Sequence, residues 1–125
     1  MIADRVAAMV EVEGTEEFEA WFLELGEKDA EAVARAVGLL EEKGVALGFP
    51  HSSEIKGSQA LRELRVQSGG HPLRVFYAFD RLRRAVLLLG GDKTGDNRFY
   101  ETFVPRAEQI WAEYLVGLKK EEKKT

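Results

Sequence analysis

The run AVLLLGG, residues 85–91, restricts the fold of this chain more than any other stretch. Apolar residues follow one another there without alternation, the pattern of a strand covered on both faces. Such a strand needs a layer above and a layer below, so the chain must place helices on both sides of a sheet. Two segments upstream read as its partners, LRELRVQ (61–67) and LRVFYAF (73–79). SGGHP joins them as a five-residue hairpin connection, and DRLRR (80–84) turns the chain into the apolar run. The three form a meander.

The remaining elements follow from periodicity. In VAAMVEV (6–12), Val6, Ala8, Val10 and Val12 alternate onto one face, which predicts a first strand broken by Gly14. Thr15 is a good N-cap, and Phe18, Trp21, Phe22 and Leu25 then recur at helical spacing up to Gly26. A second helix is predicted from a cap at Asp29 to Gly44, with Ala30, Val33, Val37 and Leu40 on its apolar face. Residues 45–60 read as a connecting loop, broken by Gly48, Pro50 and Gly57. A last helix runs from about Tyr100 to Lys120, with Pro105 near its first turn, and residues 119–125 form a solvated tail. The order is β-α-α-β-β-β-α, an α+β fold with one antiparallel sheet. The 125 residues fit a single domain, 1–125.

Alternation also places charge. On LRELRVQ, Leu64 and Val66 point one way while Glu63, Arg65 and Gln67 point the other. On LRVFYAF, Leu73, Val75, Tyr77 and Phe79 form the apolar face, opposite Arg74, Phe76 and Ala78. Pairing the strands with both apolar faces on one core puts Arg65 and Arg74 side by side, and a one-residue slip would bury an arginine there. Two adjacent guanidinium groups need an anion between them. That anion is either Glu63 or a bound phosphate, whose geometry suits guanidinium forks. The loop after Gly90 and Gly91 brings Lys93 and Arg98 toward the same end of the sheet, with Phe99 and Tyr100 adjacent. Four cations and a phenol in a solvent-open pocket would suit a scissile phosphate and a stacked base.

Total charge does not settle the matter. The net charge is −4, yet residues 1–50 hold 4 Lys/Arg against 12 Asp/Glu, while residues 61–100 hold 8 against 4. Any polyanion-binding surface must therefore lie in the second half. Other chemistries fit poorly. No cysteine is present, and His51 and His71 share no metal-ligand spacing, so neither a disulfide nor a metal site is expected. GGDKT lacks the GxxxxGK[ST] spacing of a nucleotide-binding loop. No serine sits in a defensible Ser-His-Asp arrangement. No membrane span or secretory leader is read in the sequence, and a cytoplasmic location is the default.

The run ELRVQSGGHPLRVFYAFD, followed by GGDKTGDNRFY, together with the preceding EIKG and the last helix, resembles the RelE/ParE superfamily of type II toxins. The resemblance is strongest to its HigB-like, phage-related branch and covers about Val10 to Leu118. It implies a RelE-like fold and, in the RelE-like members, a ribosome-dependent mRNA endoribonuclease in which the ribose 2′-OH attacks the adjacent phosphorus without a metal or other cofactor. The resemblance implies that Arg74 contacts the scissile phosphate. It also assigns Arg65, Lys93, Arg98 and Tyr100 to the catalytic set and Lys56, Arg62 and Phe99 to RNA binding. Cations around Tyr100 would lower its pKa; Lys93, Glu63 and His71 stand beside it as candidate bases. The implied partners are a cognate antitoxin with a helix-turn-helix domain, the ribosome and mRNA, with DNA reached only through the antitoxin. The same fold serves gyrase-poisoning ParE toxins without a nuclease site, and a catalytically silent antitoxin-binding module is a third reading.

Overall fold

The computed structural model describes residues 9–124 in backbone and residues 9–122 in side chain. The elements are β1 (Val12–Gly14), α1 (Glu16–Leu23), α2 (Glu27–Lys43), β2 (Ser52–Glu54), β3 (Arg62–Ser68), β4 (His71–Phe79), β5 (Ala85–Asp92) and α3 (Phe99–Lys124). A 3₁₀ turn, Gly44–Ala46, follows α2. The sheet has five strands in the order β1-β5-β4-β3-β2.

The meander is antiparallel, as alternation requires, and Arg65 pairs directly with Arg74. Three features depart from the sequence reading. First, β1 covers only Val12–Gly14 and joins β5 in parallel, so the sheet is mixed. Periodicity fixes which face a side chain takes but carries no strand direction. Residues 6–8 of the expected strand lie outside the described residues. Second, a short strand, β2, emerges inside the expected loop and pairs with Arg62–Leu64. Its three residues are too few to show a period. Third, the β3–β4 link is a two-residue turn with Ser68 paired to His71. Gly69 and Gly70 both take positive φ, 53° and 83°, the backbone that a tight hairpin demands.

Both faces of the sheet are covered. Leu64, Val66, Leu73, Val75 and Tyr77 pack with Phe18, Ala32, Val33 and Leu40 of α1 and α2. On the other face, Phe76, Ala78, Val86 and Leu88 pack with Phe99, Ala107, Ile110 and Trp111 of α3. Successive residues of β5 therefore serve opposite cores, which is why its sequence does not alternate. Fully burying Phe76 alone contributes roughly 2–3 kcal/mol.

Thr15 caps α1 through its hydroxyl, which accepts from the Phe18 amide at 3.2 Å. Gly44 ends α2 at φ 57°, as read from the sequence, but α2 starts at Glu27, with Gly26 rather than Asp29 as its N-cap. The last helix extends through Lys124 instead of ending near Lys120. No helix among the described residues is long and apolar enough to cross a membrane.

Gly90 and Gly91 are packing residues. A Cβ on Gly90 would lie 2.2 Å from the Trp21 ring, and one on Gly91 would lie 2.6 Å from Phe103. Consecutive strand residues face opposite ways, so the pair lets α1 and α3 each set an aromatic ring against the backbone of β5.

Candidate functional site

The site grows from the face of β3 and β4 that carries Glu63, Arg65 and Arg74. Register sets the two arginines opposite each other and Glu63 opposite Phe76. The N-terminal turn of α3 then closes over this patch, because Phe99 and Phe103 stack on each other with centroids 4.3 Å apart and on Phe76. Anchoring Phe99 points the next residue, Tyr100, toward Glu63.

Glu63 is the centre. It is buried, at 4% exposure, and its carboxylate is surrounded by donors. Tyr100 donates to Oε1 at 2.7 Å and Ser53 to Oε2 at 2.8 Å. Arg65 Nη1 lies 3.4 Å from Oε2, and Arg74 Nε lies 3.5 Å from Oε1. Arg74 is as buried as Glu63; its Nη1 donates to the Leu73 carbonyl, while its Nε makes no hydrogen bond. Lys93 extends from the end of β5 so that its ammonium sits 5.1 Å from the centre of the Tyr100 ring. Burial pushes the Tyr100 hydroxyl up, and the hydrogen bond to Glu63 adds to this, while Arg74 opposes it. The phenol is raised rather than lowered, contrary to the expectation from nearby cations. At neutral pH it is a protonated donor.

The expected residues thus divide. Arg65, Arg74, Lys93 and Tyr100 come together, but around the chain's own carboxylate rather than as an open field of cations. Glu63, Arg65 and Arg74 together carry one net positive charge, so half of the arginine charge is already answered. Arg98 stands apart: its side chain is exposed and pairs with Glu101 at 3.7 Å. Phe99 is buried at 1% and unavailable to a base. Arg62 lies on the other face of the sheet, where it reaches the Tyr77 hydroxyl and the Leu47 carbonyl. Its even-numbered position puts it with Leu64 and Val66, so alternation along β3 already separated it from Arg65. His71 sits at the hairpin, its Nδ1 3.5 Å from Asp92.

Lys56 does border the site. It helps line a cavity of about 560 Å³ that reaches Glu63 and Tyr100. The same lining includes Glu54 and Glu101, so this cavity is acidic and does not itself suit a phosphate. Arg65, against Glu63, and Lys93, against the Tyr100 ring, lie outside this lining. Ser53 was hidden from sequence reading because it lay in what read as a loop.

Comparison with known proteins agrees with the fold and the motifs. Residues 20–112 match the model of the family described as Phage derived protein Gp49-like (DUF891). A Mycobacterium tuberculosis protein named "Putative toxin HigB3" is 36% identical over 100 residues, covering 79% of this chain and 88% of that protein. A second from the same organism, "Putative toxin HigB2", is 33% identical over 122 residues, covering 91% of this chain and 61% of that protein. Among solved structures, a mutant of Escherichia coli toxin RelE in the free state superposes with a TM-score of 0.57 at 11% identity, over 78% of this chain and 97% of that one. The chain belongs to the Gp49-like family, in the HigB-like branch of the RelE/ParE superfamily.

Proposed function

We propose that this chain is the toxin of a type II toxin–antitoxin pair and that it acts as a ribosome-dependent mRNA endoribonuclease with Glu63 as general base. The toxin reading rests on family membership and on the two HigB-named relatives. The nuclease reading rests chiefly on one observation: a carboxylate held by Tyr100, Ser53 and two arginines, with half-buried Arg65 and Lys93 at its border.

In this reading the Glu63 carboxylate takes the proton from a ribose 2′-OH. The 2′ oxygen bonds to the adjacent phosphorus, the bond from phosphorus to the 5′ oxygen breaks, and the Lys93 ammonium returns a proton to the leaving oxygen. The products are a 2′,3′-cyclic phosphate and a 5′-OH. Arg65 and Arg74 offset the charge that builds on the pentacoordinate phosphorus; a donor of this kind contributes on the order of 3 kcal/mol. Arg74 Nε, buried and without a hydrogen-bond acceptor, gains one when a phosphate oxygen arrives. Tyr100 holds the carboxylate in place and remains protonated. The cognate antitoxin, with a helix-turn-helix domain as its DNA-binding part, and the translating ribosome are the partners of this reading, and the cytoplasm is its compartment.

A second reading has its own support. Arg74 is neutralised and the adjoining cavity is acidic, as suits a toxin that poisons gyrase and leaves RNA alone. Induced expression with mapping of mRNA 5′ ends, run beside a gyrase–DNA trapping assay, separates the two. Codon-linked new 5′-OH ends with no trapped gyrase are the expected result. Trapped gyrase with intact mRNA would overturn the nuclease reading.

A further inference from the structure

β2 covers only the first part of β3. From Arg65 to Ser68 the outer edge of β3 has no strand beside it among the described residues, apart from one bond from the Arg65 amide to the His51 carbonyl. A groove of about 600 Å³ runs between this edge and α2, lined in part by Arg35, Gly38, Glu42, His51, Arg65 and Gln67. Arg35, His51 and Gln67 are exposed, and none has a side-chain hydrogen bond or ion pair among the described residues.

Arg65 joins this groove to the Glu63 site. Its Nη1 faces the Glu63 carboxylate, while the guanidinium carbon lies 5.3 Å from the centre of the Phe49 ring. Phe49 is 77% exposed and is the one aromatic among the exposed large apolar side chains described. An aromatic ring in water beside a guanidinium group is a platform on which any nucleobase can stack. The unpaired Arg35 and a free strand edge next to it supply donors and acceptors for the backbone and base edges.

We infer that this groove is a subsite for a nucleotide of single-stranded RNA flanking the scissile phosphate. The base stacks on Phe49, Arg35 and Arg65 hold its phosphate, and Gln67 meets its edge. The inference rests on the ribonuclease reading of the Glu63 site and extends it to substrate preference.

Two substitutions probe the groove without replacing a residue of the Glu63 network. Phe49→Ala removes an exposed ring. Gly38→Glu puts bulk and negative charge into the groove; a Cβ there meets nothing within 4 Å, and replacing a mid-helix glycine favours the helix. Binding of the full chain to a labelled mixed-sequence RNA dodecamer is compared with binding to an abasic oligonucleotide of the same length and to poly-glutamate. Cut positions in translating ribosomes are mapped in parallel. Each variant is expected to weaken RNA binding about tenfold, with the abasic strand bound as poorly, and Phe49→Ala to lose the wild-type nucleotide preference at cut sites while still cutting.

RNA binding that depends on Phe49, without cuts by the wild type, would keep the subsite and overturn the nuclease. Wild-type cuts with binding and positions unchanged in both variants would overturn the subsite and keep the nuclease. Abasic or poly-glutamate chains bound as tightly as RNA would assign the groove to an acidic partner and overturn the subsite. A wild type that neither binds nor cuts would overturn both.

Discussion

The Tyr100 hydroxyl donates a 2.7 Å hydrogen bond to Glu63 Oε1, fastening the first turn of α3 to the start of β3. This contact buries Glu63 and makes it the common partner of the cations that the strand pattern brings together. Its consequences for stability and for chemistry can be tested separately.

Arg74 supports the fold as well as any reaction. Removing it leaves a buried carboxylate short of a cation, a change that typically costs about 3 kcal/mol or more. Arg74→Ala should therefore lower the urea midpoint clearly. In the double variant Glu63→Gln/Arg74→Ala much of that loss should be regained, because no buried charge is then left uncompensated. Loss of toxicity in Arg74→Ala alone is weak evidence for catalysis.

Gly90→Ala should destabilise by about 3 kcal/mol, the upper range for overpacking, because its methyl group would enter the Trp21 ring. Adding Trp21→Leu should restore part of the loss. Thermal melts of the single and double variants check this coupling.

How much of this was legible depended on which interaction carried the information. The Arg65–Arg74 pairing, the apolar faces of β3 and β4, the Thr15 cap and the Gly44 stop all follow from local period or backbone preference, and all are present. The parallel entry of β1 was not legible, since alternation looks the same in either strand direction. The burial of Glu63 was not legible either, because it arises when Phe99 and Phe103 seat α3 on Phe76, a contact between distant segments. Phe99 read as a base-contacting ring because the last helix was expected to begin only at about Tyr100; the helix starts at Phe99, which joins Phe103 at i, i+4 in one apolar stripe.

Asp80 gives the fold an acid-sensitive joint away from the site. Burial pushes its carboxyl up, but the Arg84 amide, the Tyr114 hydroxyl and the Arg84 guanidinium together hold it below its ordinary value of 3.8. A carboxyl lowered on folding contributes stability that is present above its unfolded pKa and is lost as pH falls through the folded one. Stability should thus decline as pH drops below about 4. Asp80→Asn should cost about 2 kcal/mol at neutral pH and flatten that decline, as followed by urea melts across the acid range.

Tyr100→Phe removes one donor from the Glu63 carboxylate but no ionisable base. Cleavage should fall by about tenfold, the worth of one hydrogen bond to a charged group. Because the phenol of Tyr100 is raised, the wild type should show no Tyr100 ionisation between about pH 7 and 9, and the ratio of its rate to the variant's should stay constant across that range. A ratio that changes with pH would return the phenolate to the mechanism.

The most direct measurement is single-turnover mRNA cleavage on purified translating ribosomes by Glu63→Gln beside the wild type, with melts showing that both are folded. The amide keeps the shape of the side chain and an acceptor for Tyr100 but cannot take a proton from a 2′-OH. The account predicts codon-linked cuts by the wild type and a loss of at least about a hundredfold in the variant, in keeping with the lower bound for a general base. A folded Glu63→Gln chain that cuts at the wild-type rate would contradict it.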